Sequence, residues 1–213
     1  MIRAYHESYL SEAMNGMGAM LDYAVNACGE DLRLFYARFL SSSVAQQLER
    51  GNPRYLSGLS GVELAGIVAE QTGRPLNAAE PLIDMGSPEY WTGWALAYLQ
   101  WFHHLSFKAL QAAGVGAMSL LEKYPALHEA DLSKVVSFSL RAIESYRAGH
   151  GNPLKRFRKS IHLTQQDLAG QSGISLRAIR AYEQGQIPLS SASAETIFTL
   201  ARILGCTPGD LLF

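Results

Sequence analysis

The sequence predicts an all-α protein, with an N-terminal helical bundle domain followed by a smaller C-terminal helical domain. Three observations predict it. Apolar residues recur at steps of three and four along most of the chain, the period of one buried helix face, and strand-like alternation is scarce. With 213 residues, 48% hydrophobic and only 17% charged, the chain has enough apolar side chains for a packed core, which excludes wholesale disorder. The charge also changes sign along the chain. Residues 1–151 carry 11 basic and 15 acidic residues and residues 152–213 carry 7 and 4, so regions of net −4 and +3 make up the total of −1. The change falls at Gly149-His150-Gly151-Asn152-Pro153, where glycine and proline interrupt helical patterning, and the domain boundary is placed there: 1–150 and 151–213.

The near-neutral total excludes a polycation that coats nucleic acid indiscriminately, so any basic face is local. Cys28 and Cys206 match no metal-ligand spacing and read as small core residues of a reducing compartment. No apolar run reaches the roughly 18 residues of a membrane span, and a cytoplasmic location without membrane attachment is expected.

From Tyr9 to Cys28 the residues Leu10, Met14, Met17, Leu21, Ala24 and Val25 form one stripe, and Cys28-Gly29 closes the helix. A second helix is expected from near Asp31 to Leu48, ended by Gly51-Asn52-Pro53, and a third from about Ser60 to Gly73. Residues 74–86, with Pro75 and Pro81, read as a packed loop. Ser87 can cap a helix, Pro88 suits its first position and Glu89 favours its positive end, after which Trp91, Trp94, Tyr98, Trp101 and Phe102 mark the central core helix. A break is expected at His103-His104-Leu105-Ser106, with Ser106 capping a short helix to Ala113. Another short helix covers Leu120 to Tyr124 before Pro125, and the last runs from Ala130 to Arg147.

Nothing in this region carries a catalytic signature. His103 and His104 are adjacent and point about 100° apart on a helix, so they cannot chelate one ion. Glu129 and Asp131 are explained by the favourable negative charge at a helix start. There is no glycine-rich phosphate loop after a strand, no nucleophile elbow and no Cys–His signature. No catalytic residue, cofactor or metal site is expected, and the protein is not expected to be an enzyme.

The C-terminal region is more specific. Leu154 to Lys159 alternates apolar and basic residues on a short helix. Thr164 stands as an N-cap with Asp167 three residues on, opening a helix from Gln165 to about Gln171. Ser172-Gly173-Ile174 has room only for a tight turn, and Ser175 caps a third helix through Gln184. Leu168, Ala169, Ile174 and Ile179 are the expected contacts between these two helices, which leaves Ser175, Leu176, Arg177, Arg180 and Ala181 for the exterior. Helix, glycine turn, helix is the outline of a DNA-reading motif, in which exposed arginines reach guanine edges or phosphates.

The stretch Leu154 to Leu212, above all LTQQDLAGQSGISLRAIRAYEQGQ from Leu163 to Gln186, resembles the helix-turn-helix domain of the phage repressor and Cro-like (XRE) family. The resemblance implies five helices, the fourth at Ala194 to Leu204 and the fifth at Pro208 to Leu212. It implies double-stranded DNA as partner, with Gln165, Gln166, Ser175, Arg177 and Arg180 at the interface, and Arg177 at a base-reading position. Thr164, Ala169, Gly173, Ile174 and Ile179 would then be structural, as would a salt bridge between Arg158 and Glu183. Leu176 and Ala181 depart from the polar residues frequent at these exterior positions, so apolar contact to thymine methyls is one reading for them. A symmetric DNA site calls for a homodimer with reading helices about 34 Å apart.

Upstream, the strings GNPRYLSGLSGVELA, YWTGWALAYLQWF, SFKAL and YPALHEAD resemble a helical domain that precedes a Cro-like domain in regulators of gut-dwelling Gram-positive bacteria. That resemblance assigns no activity. It leaves three roles for residues 1–150: dimerisation, binding of a partner such as a toxin encoded by an adjacent gene, or sensing a ligand beside Trp91, Trp94 and Trp101. The expected function is a transcriptional regulator, an autoregulating repressor, with an antitoxin or a ligand-sensing repressor as alternatives.

Overall fold

The computed structural model describes residues 3–77 and 79–212, which fall into two compact units, 1–143 and 144–213. The protein is all-α, and no strand occurs among the described residues.

In the first unit, α1 (Leu10–Asp22) continues into a single wide π turn, Tyr23–Ala27, and ends at Gly29, whose φ of +72° suits glycine. Asp31 caps α2 (Leu32–Ser41) by accepting from the Leu34 amide. The helix expected to reach Leu48 is broken at Ser42, which is extended and buried, so α3 (Ser43–Glu49) is separate. The hydroxyl of Ser42 donates to the Phe39 carbonyl at 2.7 Å and satisfies the end of α2. Gly51-Asn52-Pro53 also does more than terminate. Asn52 caps a further helix, α4 (Pro53–Ser57), with Pro53 in its first turn. Ser60 and Glu63 close a capping box at the start of α5 (Gly61–Gln71).

The described residues of 74–86 contain no helix, and buried Asp22 holds the end of the stretch in place. Its carboxylate accepts from the Asp84 amide at 2.9 Å, the Ser87 hydroxyl at 2.5 Å and Asn26 Nδ2 at 2.7 Å. The cap expected at Ser87 is present, opening α6 (Pro88–His103), and the expected break follows where His104 takes a left-handed conformation, φ 53°. Ser106 caps α7 (Phe107–Ala112). The next helix, α8 (Ala117–Leu127), is longer than expected and runs through Pro125. Pro125 sits in its last turn, where it withdraws one amide from the bond to the Leu121 carbonyl and leaves the earlier turns intact, while Ala117 and Leu120 anchor the opposite end in the core. Asp131 accepts from the Ser133 amide to start α9 (Leu132–His150), which continues through Gly149 and contributes to both units, from Glu144 onward to the second.

The first unit is built around the pair α1 and α6, and α1 also packs on α4 and α5. Tyr90 of α6 lies against Gly18 of α1, and its hydroxyl donates to Asn15 Oδ1 at 3.2 Å. A Cβ on Gly93 would lie 2.2 Å from the Met17 carbonyl oxygen, so the two backbones meet there with no room for a side chain. Gly61 of α5 approaches Ala19 and Met20 in the same way. Only part of the expected aromatic core stripe is core: Trp91 and Trp101 are buried, while Trp94, Tyr98 and Phe102 are half-buried. Among the described residues the bulkiest fully buried side chains are Phe35, Phe39 and Phe107, with Phe39 edge-on to Phe107 at 5.0 Å, and Met17, Met20 and Leu21 of α1 and Leu96 and Leu99 of α6 are fully buried as well. Each such ring removed from water contributes about 2–3 kcal/mol. Cys28 is buried here, as expected of a small core residue.

The second unit adds five helices after α9: α10 (Pro153–Ser160), α11 (Gln165–Ser172), α12 (Leu176–Glu183), α13 (Ala194–Leu204) and α14 (Pro208–Leu212). Their shared core is Leu154, Leu168, Ile179, Leu189, Leu200, Ala201, Leu204 and Leu211. Cys206 packs against it, and burial pushes its thiol up to about 12, away from thiolate chemistry. None of the described helices is long and apolar enough to cross a membrane.

Candidate nucleic-acid interface

Helices α11 and α12 form the helix pair that the spacing predicts. Thr164 and Asp167 cap each other at the start of α11. The Thr164 hydroxyl oxygen accepts from the Asp167 amide at 3.0 Å, and the Asp167 carboxylate accepts from the Thr164 amide at 2.9 Å and from its hydroxyl at 2.6 Å. Those bonds to Thr164 hold the Asp167 carboxyl below the usual range. Gly173 ends α11 in the left-handed region, φ 69°, where a side chain would be strained. Ser175 then caps α12 by accepting from the Ala178 amide at 3.2 Å. Leu168 and Ile179 are fully buried between the helices, while Ala169 and Ile174 are half-buried against the same core.

The orientation of α12 is fixed by a buried ion pair. Arg158 on α10 donates to Glu183 at the end of α12 through Nε at 2.5 Å and Nη2 at 2.9 Å, a two-pronged pairing with both side chains at most 10% exposed. Burial opposes ionisation of Glu183, but the hydrogen bonds from Arg158 and from Gln165 outweigh it and hold the carboxyl below the usual range. Arg158 also donates to the Leu163 carbonyl at 2.6 Å, which fastens the α10–α11 turn to the same point. A further clamp escaped the sequence reading. Asn152 caps α10 and its Nδ2 donates to the Tyr182 carbonyl at 2.7 Å, gripping the last turn of α12. An asparagine just before Pro153 signals the cap, but its second bond is long-range and leaves no local mark.

The expected contact residues divide. Arg177 and Arg180 on α12 and Gln166 on α11 are exposed, and Ser175 is exposed at the cap, its O–H still able to donate. Gln165 is half-buried and its Nε2 donates to Glu183 at 2.8 Å, so the structure engages it with the ion pair. Lys155, Thr164, Gln165 and Gln184 line an open cleft of about 440 Å³ beside Arg158 and Glu183. The cleft adds the exposed Lys155 to the neighbourhood of the α11 start, a residue the sequence reading did not single out. Ala181, expected on the exterior, is buried at 8% exposure and cannot meet a thymine methyl. Its carbonyl accepts from the Gln186 and Ile187 amides, so the chain leaving α12 folds back over it. Leu176 is half-buried.

Two capped helices joined by a left-handed glycine, the second locked to a scaffold and exposing two arginines, define a helix-turn-helix DNA-binding unit. The family comparison agrees: residues 154–211 match the family described as Helix-turn-helix. No curated protein and no solved structure matches the chain. The C-terminal region is therefore a helix-turn-helix domain, a DNA-binding regulatory module rather than a catalytic one.

His103 meets the buried Ser139 at 2.8 Å, and among the described residues no cluster of three or more His, Cys, Asp or Glu could hold a metal. Trp91 packs edge-on against Tyr124 at 5.7 Å, and Trp101 donates to the Tyr5 carbonyl at 2.9 Å.

Proposed function

We propose that the protein is a sequence-specific transcriptional regulator that binds operator DNA as a homodimer and represses its own gene. The observation that carries this reading is the face of α12: Arg177 and Arg180 exposed on a helix whose far end is held by the Arg158–Glu183 pair and Asn152. A fixed helix is what base reading requires, because each bidentate contact depends on placement to within a fraction of an ångström. Arg177 takes a base edge, Arg180 a neighbouring base or phosphate, and Gln166 and Ser175 the backbone. Gln165, with one amide hydrogen on Glu183, links a backbone contact to the ion pair. The net charge of +3 on residues 152–213 is modest, so useful affinity requires two copies on one site.

Fluorescence anisotropy of the full-length chain on its own upstream DNA, against a scrambled duplex at two salt concentrations, tests the proposal. Saturable, salt-sensitive binding with a preference of about 10³-fold or more is expected. Arg177→Ala is expected to lose about 1–3 kcal/mol of affinity and to relax preference at one base position while the helical content is unchanged. Unaltered affinity and preference in that variant would remove α12 as the reader.

A further inference from the structure

Helix α13 turns Ile197, Leu200, Ala201 and Leu204 into the core of the second unit. Its other side carries an apolar residue that the core does not use. Phe198 is 62% exposed, more than Ile161, Ile187 or Leu212 in the same unit. Glu195 and Arg202, both exposed, lie three residues before it and four after it. At 100° per residue these positions fall within an arc of about 60°, the i, i+3, i+7 seam of helix-on-helix packing. Glu195 and Arg202 are aligned to within about 20° and are about 10 Å apart along the axis, with Phe198 between them. The helix dipole accounts for the signs of the two charges, acidic near the start and basic near the end. It does not account for an exposed phenylalanine between them.

The geometry points to α13 as the surface on which a second copy of this chain docks, the two helices antiparallel about a two-fold axis beside Phe198. That axis sets Phe198 on Phe198 and brings Glu195 of each copy level with Arg202 of the other, so the face is complementary to itself. A parallel arrangement would set like charges level. The seam supplies the two-fold contact of the homodimer proposed above, and it rests on that reading only for why two copies meet. Two turns of helix bury less than the roughly 800 Å² per partner of a standard interface, so the dimer forms reversibly in the micromolar range.

Sedimentation velocity of the full-length chain without DNA, from about 1 to 100 μM, tests the surface. The wild type is expected to pass from monomer to dimer across that range. E195R and R202E are each expected to weaken association about tenfold by opposing like charges, and the combined E195R/R202E chain to regain it. F198E is expected to leave a monomer throughout. All three substituted positions are solvent-facing, and circular dichroism checks that each variant keeps its helix content. A wild type that stays monomeric, a dimer that F198E leaves intact, or a double variant that does not recover overturns the surface. Because DNA is absent, failure here is distinct from failure of the DNA-binding reading, which the anisotropy measurement addresses alone.

Discussion

The two units of this chain both bury carboxylates, and they use them differently. In the first unit Asp22 collects its three donors from residues 26, 84 and 87, and Glu30 pairs with Arg38 at 3.1 Å while Arg74 stands at 3.7 Å. These groups tie the irregular stretch after α5 to helices that are already packed through Gly93 and Gly61. In the second unit Glu183 joins one helix to another, α12 to α10, across a core of eight buried apolar residues. A unit of that size has a small core relative to its surface, so one ion pair matters more to its stability. The lesson is that a buried charge dresses the surface of a large core but sets the geometry of a small one, and here the geometry is that of the reading helix.

The comparison breaks most sharply at the two positions that organise each unit. Gly93→Val is expected to destabilise residues 3–143 by about 3 kcal/mol or more, because the added side chain collides with the α1 backbone rather than with a flexible side chain. Hydrogen exchange should show protection lost there and kept in residues 144–213. Glu183→Ala should do the converse, costing the second unit about 3 kcal/mol by leaving Arg158 buried without its partner. If Glu183→Ala weakened DNA binding no more than the unit's stability requires, its positioning role would be lost from the comparison.

Acid sharpens the contrast. The folded-state pKa of Glu183 lies below its ordinary 4.5, so its contribution is fully present above that value and is lost as pH falls through the folded value. Asp167, held below its ordinary 3.8, acts in the same sense. The second unit is therefore expected to lose protection progressively below about pH 4.5, with a shallower pH slope in Glu183→Gln. A smaller effect is expected at Thr164→Ala, about 1 kcal/mol from the lost cap of α11. The smallest belongs to the first unit. The Thr92 hydroxyl is buried without a hydrogen bond among the described residues, so Thr92→Val should leave stability unchanged or raise it by up to about 1 kcal/mol. Thermal denaturation reads either outcome.

Much of the candidate site was legible because its signals are local. Thr164 with Asp167, Gly173, and Ser175 each act within four residues of themselves, so spacing alone places α11, the turn and α12. The pairing of Arg158 with Glu183 came only through the family resemblance, since nothing near either residue marks the other. The hold of Glu183 on Gln165 and of Asn152 on Tyr182 was not legible at all. Ala181 was misplaced because period alone puts it outside, whereas the chain returning at Gln186 and Ile187 covers it.

What the sequence by itself determined is the all-α class, most helix starts and the outline of the DNA-reading pair, because capping, helical period and glycine's access to positive φ are short-range effects. Only the tertiary structure decided that α2 and α3 separate at Ser42, that α8 outlasts Pro125, and that Gly93 rather than the tryptophans brings α1 against α6. Each of those outcomes depends on residues far apart in the chain meeting at contact distance, where the burial of many side chains together outweighs the preference of any one.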